Sequence, residues 1–174
     1  MPVHRSILLK SQSGAAALEF ALVALPLFVA VLSIVEVMLV VLTSSSLAEA
    51  TTLAARSIRT GQLQKSGSAT SSTFAQEICS NMSWLGPQCA SNLSVDARVF
   101  SSFGSVTPPP VVSNGLIDSS ALSFNMGNAG DIVVVRAYYR WPLMTPFLAA
   151  ALGAASNGVM VITSTAAFRN EPFS

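Results

Sequence analysis

The stretch "SQSGAAALEFALVALPLFVAVLSIVEVMLVVL", Ser11 to Leu42, decides the fold. From Ala15 onward its only ionisable residues are two glutamates, Glu19 and Glu36. As one helix, Ala15 to Leu42 would extend about 42 Å, against a bilayer hydrocarbon core of about 30 Å. That exceeds the short apolar core of a secretory signal, and no small-residue cleavage pattern with a polar flank follows it at once. Pro26 has apolar helix on both sides to absorb a mild kink. The reading is a transmembrane helix over residues 15–42.

Flanking charge sets its direction. His4, Arg5 and Lys10 precede the run, whereas the first basic residue after it is Arg56. The excess of basic residues belongs on the cytoplasmic side, so residues 1–14 form a short cytoplasmic leader and the bulk of the chain lies outside. The helical pattern then continues over residues 43–61, where Leu47, Ala50, Leu53, Ala54 and Ile58 fall near one face and Gly61 is placed to cap the end. An amphipathic extension of this kind needs a partner, which residues 62–174 must supply.

Those residues read as a small α+β domain. A Ser/Gly-rich connection, Gln64 to Ser72, leads to a helix over Thr73–Met82 with Phe74, Ile78 and Met82 at four-residue spacing. Three segments alternate as strands with one buried face: Leu93–Phe103, Asp131–Leu143 and Gly158–Asn170. The prolines at 108–110 mark an extended loop. Phe147–Ser156 is apolar but too short to cross a bilayer, and is expected as a small helix or hairpin arm covering the sheet. The fold class is therefore α+β and membrane-anchored, a pilin-like long N-terminal helix packed on a small antiparallel sheet.

Cys79 and Cys89 both fall on the outer side, with Gly86-Pro87 between them as a turn. In an oxidising compartment they pair as a disulfide, closing a short loop for about 2–3 kcal/mol; the alternative is two buried thiols. A zinc site lacks further ligands, because the only histidine, His4, is across the membrane. The same absence leaves no Ser-His-Asp or Cys-His centre in the outer domain. No phosphate-binding glycine loop appears either, so neither an enzyme nor a cofactor is expected. A net charge of +1 with 10% charged residues gives no footprint for nucleic acid.

The chemistry that remains lies in the opening stretch. A carboxylate in a bilayer costs about 2.5–3.5 kcal/mol at the helix centre and less near the edges. Glu36 is either a charge at the membrane interface or a helix–helix contact. Glu19 is set apart by its surroundings: "SGAAALEF" places a glycine, four small or apolar residues, the glutamate and then Phe20 at the mouth of the apolar helix. This resembles the class III prepilin processing site of Flp and Tad pilus systems. The resemblance implies cleavage between Gly14 and Ala15, which makes Glu19 the fifth mature residue. The new α-amine of Ala15 would then pair with Glu19 of a neighbouring subunit and reward correct register. The alternative is an ordinary uncleaved anchor.

The likeness continues through "AARSIRTGQ" (Ala54 to Gln62), the cysteine pair, "YYRWPLMTP" (Tyr138 to Pro146) and "FRNEPF" (Phe168 to Phe173), which are similar to the TadE-like pilus assembly proteins. The chain departs from the major Flp pilin in being far larger and in carrying phenylalanine, not tyrosine, after Glu19. Membership of that family implies a minor pseudopilin in a bacterial inner membrane, single-pass, its C-terminal domain periplasmic, needed for pilus assembly, adhesion or secretion. Its partners would be a prepilin peptidase, other Tad pseudopilins and the Flp pilin, the inner-membrane assembly platform and the lipid bilayer. The rival is an uncleaved periplasmic scaffold or receptor domain that does not polymerise. In the C-terminal tail, Arg169 and Glu171 share a face at strand spacing, so they either lock the last strand to its neighbour or remain a solvated or binding surface.

Overall fold

The computed structural model describes residues 12–67, 69–155 and 157–173. In chain order the elements are α1 (Gln12–Arg59), α2 (Gln62–Lys65), α3 (Ser71–Asn81), α4 (Cys89–Asn92), β1 (Leu93–Phe100), β2 (Val112–Ser113), β3 (Leu116–Ile117), β4 (Ile132–Pro142), α5 (Pro146–Ala151) and β5 (Val159–Arg169). The chain divides into two compact units, one ending at Val35 and one running from Glu36 to Ser174.

In the first unit the described residues are the N-terminal part of α1. Leu18, Phe20, Leu22, Leu25, Phe28 and Leu32 are each more than half exposed. A helix this apolar and this bare suggests a single-pass membrane anchor. It is long and apolar enough to cross a membrane. Ser33 returns its hydroxyl to the Val29 carbonyl at 2.6 Å, so the polar group costs the helix no unsatisfied donor.

The second unit is a two-layer α+β domain. Its sheet has the order β1-β4-β5, antiparallel throughout. One face is covered by α1 and α3. From α1, Leu47, Ala50, Ala54 and Ile58 enter the core at spacings of three and four, the stripe that 3.6 residues per turn produces. From α3 come Phe74, Ala75, Ile78 and Met82. They meet Val95 and Ala97 of β1, Val133, Val135, Ala137 and Tyr139 of β4, and Ile162 of β5. The alanines let α1 approach closely, while Leu47, Ile58, Phe74, Ile78 and Met82 are fully buried, each contributing about 1.5–3 kcal/mol. Thr43 and Thr51 are fully buried too, and each donates to the carbonyl four residues back, Leu39 and Leu47.

Local chemistry sets the element ends. The Thr70 hydroxyl accepts from the Thr73 amide at 3.1 Å, and the Thr73 hydroxyl accepts from the Thr70 amide at 2.9 Å. This reciprocal cap starts α3 at Ser71, two residues before the periodicity alone suggests. A similar Ser102–Ser105 exchange forms a turn over Phe103–Ser105 and ends β1 at Phe100 rather than Phe103.

The sheet differs from expectation in that β4 and part of β1 are buried on both faces, whereas β5 leaves Thr163, Thr165 and Ala167 exposed on the second face. Val134, Tyr138, Asp96 and Arg136 lie opposite the helices and are nonetheless buried. The proline-bearing segment crosses them: the Pro109 carbonyl accepts from Arg136 Nη1 at 2.9 Å, and Val111 is buried. The small hairpin β2–β3 follows it in the chain. Past Ala121, the chain returns along β1, where Ala97 exchanges backbone hydrogen bonds with Ser123 and Asn125. In the segment expected to cover the sheet, Ala155 is buried. α5 forms within this segment, but none of the helix's own residues is buried.

Candidate assembly site

Four places carry the chemistry the sequence singles out. The first is the start of α1. Gly14 and Ala15 both lie within the helix, and Glu19 and Phe20 are exposed one turn further on. Among the described residues Glu19 makes no hydrogen bond or ion pair. Its carboxylate is free to meet a group from another molecule.

Glu36 is the opposite case. It is 4% exposed, and its carboxylate accepts the backbone N–H groups of Met144 and Thr145, the latter at 3.1 Å. It therefore ties α1 to the β4–β5 connection inside its own domain. Its observed partners are loop amides of its own domain. Its partners lie 108 and 109 residues away and are main-chain donors, which no sequence pattern marks.

The third place is where the end of α1 meets the C-terminal tail. Gly61 adopts φ 75°, and its N–H reaches the Ile58 carbonyl at 3.0 Å, so the last turn closes in a left-handed cap. Glu171 donates its backbone N–H to the Arg59 carbonyl at 2.9 Å, and its carboxylate pairs with Arg59 Nε at 3.2 Å. A β-carbon built on Gly61 would stand 2.3 Å from Phe173 Cγ, so the ring rests directly on the glycine. Arg169 points elsewhere: its Nε donates to the Gly130 carbonyl at 2.8 Å. Arg169 and Glu171 thus do not contact one another; they fasten the tail to different elements. Between them, buried Asn170 donates to the Met126 and Asn128 carbonyls at 2.9 Å, which fixes the turn before β4. The tail holds the fold, and the buried asparagine in it was not singled out in the sequence.

The fourth is covalent. Cys79 and Cys89 form a disulfide with a Cα–Cα distance of 5.7 Å, joining the last turn of α3 to the start of α4. Cys89 is buried in the core cluster and Cys79 packs against it.

One polar centre escaped the sequence reading. Asp96 is fully buried, with Arg136 Nη2 at 2.7 Å and Arg98 Nε at 3.0 Å, and it accepts the Ser123 amide at 2.8 Å. Burial alone would push its carboxyl up, but the hydrogen bonds from Arg98, Arg136 and Ser123 outweigh this and hold it below the usual range. Arg98 also reaches the Ala121 carbonyl, and the Arg136 guanidinium lies 5.7 Å from the Tyr138 ring centre. The centre welds the outer cover to the sheet. A trace of it exists in the sequence: Asp96 and Arg136 are opposite charges directly across the β1–β4 pair.

Residues 14–56 match the family model of the TadE-like proteins, a span that runs along α1 from Gly14 to Arg56. The stretches near Tyr138 and at the C-terminus lie outside the matched span. No curated protein and no solved structure matches the chain.

Proposed function

We propose that the chain is a minor pseudopilin of a Tad/Flp pilus system, inserted in the bacterial inner membrane with its α+β domain in the periplasm. The observation that carries this reading is the family match over residues 14–56, which begins at the glycine of the processing-type sequence and includes Glu19. A prepilin peptidase would cut between Gly14 and Ala15. The bond lies near the N-terminal limit of the described part of α1. Cutting leaves a cationic α-amine four residues before a carboxylate that has no partner among the described residues of its own chain. A neighbouring helix displaced along the axis satisfies both groups at once. The role is structural rather than catalytic: the chain supplies a lipid-compatible helix, a register device and a disulfide-braced domain. Association with the other pseudopilins, the Flp pilin and the assembly platform follows from that role.

Mass spectrometry of the membrane-extracted protein from cells with an active prepilin peptidase tests the proposal. A mature chain beginning at Ala15 is expected. A persistent segment from Ser11 to Gly14 would overturn it in favour of an uncleaved anchored scaffold.

A further inference from the structure

We infer that the β4–β5 connection, Met144 to Leu152, is a second membrane contact of this protein, held in the lipid interface beside α1 by Glu36. The inference rests on the proposed membrane anchoring of α1 and adds to it a lipid-facing surface on the folded domain.

Three observations converge. Met144 is 82% exposed, Phe147 54% and Leu152 39%, so the connection presents large apolar side chains outward. It is also uncharged: no Asp, Glu, Lys or Arg occurs from Trp141 to Phe168. Single exposed apolar residues are ordinary on a protein surface, and these would need no explanation by themselves. Their level along α1 supplies the explanation. Glu36 binds the Met144 and Thr145 amides, and it lies six residues before Leu42, the end of the apolar run, or about 9 Å along a helix. Within two turns of it, on the face of α1 turned away from Glu36, Met38, Val41 and Leu42 are more than half exposed. The start of the connection and the bare face of the helix thus flank α1 at neighbouring levels, where the membrane reading places lipid.

The polar groups fit such a setting. Backbone amides that leave water must find another acceptor, and a carboxylate that leaves water must find donors. Glu36 and the two amides meet both needs together. The hydrocarbon core also fits: the residues from Ala15 to Val35 span about 30 Å as a helix, which leaves Glu36 at the edge, where charge is tolerated. Interfacial elements bury their apolar faces about 5–10 Å into the headgroup and acyl boundary, the depth these side chains would reach.

The test uses the full chain, disulfide intact, in phosphatidylcholine–phosphatidylglycerol vesicles. A polarity-sensitive fluorophore is attached to a cysteine at one of three sites: Phe147→Cys on the connection, Phe28→Cys on α1, and Gln62→Cys just past the end of α1. The Phe147 probe should be blue-shifted and quenched by nitroxides carried high on the lipid acyl chains, while the Gln62 probe remains water-like. Adding Glu36→Ala should abolish the quenching at Phe147 and leave that at Phe28. A water-like Phe147 probe beside a quenched Phe28 probe overturns the lipid contact alone. A water-like Phe28 probe overturns the anchor reading itself. If the Phe147 probe is shielded only at high protein-to-lipid ratio and ignores the nitroxides, a neighbouring protein covers the loop and the lipid assignment fails. Quenching at Phe147 that survives Glu36→Ala overturns the part assigned to Glu36.

Discussion

Asp96 shows how a residue that reads as surface becomes a structural centre. It stands in β1 between core residues Val95 and Ala97, and alternation alone would send it to solvent. Two guanidinium groups and the Ser123 amide instead compensate its burial. Removing one partner of such a cluster leaves buried charge uncompensated, so Asp96→Ala should lower stability by about 3–5 kcal/mol in denaturant unfolding of the detergent-solubilised chain. The pH dependence has a definite sign. The folded-state carboxyl titrates below its unfolded value, so its contribution is present in full above about pH 4 and lost as pH falls through the folded value. Asp96→Asn should flatten that acid limb; a limb as steep as in the native chain would show that other carboxylates produce it.

At the scale of elements, α1 joins two compositions in one helix. Its N-terminal part is apolar all round, and from Leu47 onward small residues and leucine alternate with polar ones on a 3.6-residue period. Both patterns are local, which is why the helix, the strands and the helix-facing core were legible in the sequence. The cover over the sheet's second face was not, because prolines at 108–110 announce an extended chain without saying what it crosses. The cysteine pairing was legible because a short loop with a turn brings the ends together. The partners of Glu36, Arg59 and Glu171 were not, since each depends on chain closure over about a hundred residues. Gly61 tests one of those closures. An alanine there must adopt a left-handed backbone, costing about 1–2 kcal/mol, and must also displace the Phe173 ring. Gly67 has a similar φ of 66° but, among the described residues, no atom within 4 Å of an added β-carbon. Gly61→Ala should therefore lower the unfolding midpoint more than Gly67→Ala does. Equal losses would mean that the tail contributes nothing to holding the helix end.

Across the whole molecule, the two carboxylates of the apolar run differ in what they leave available. Glu36 is consumed within the domain, where main-chain donors occupy both oxygens. Glu19 is exposed and has no partner among the described residues. A lone carboxylate in lipid costs up to about 2.5–3.5 kcal/mol, which a second molecule carrying a cationic amine at the right axial position would offset. Such a group favours one stagger over its neighbours more than it strengthens any single contact. Glu19→Ala should then leave insertion intact, judged by resistance to alkaline extraction, and leave cleavage after Gly14 intact, judged by the mass of the mature chain. Piliation, scored by electron microscopy of cells producing only the variant, should be lost. Loss of cleavage together with piliation would assign Glu19 to peptidase recognition, whereas normal pili on these cells would remove it from assembly altogether.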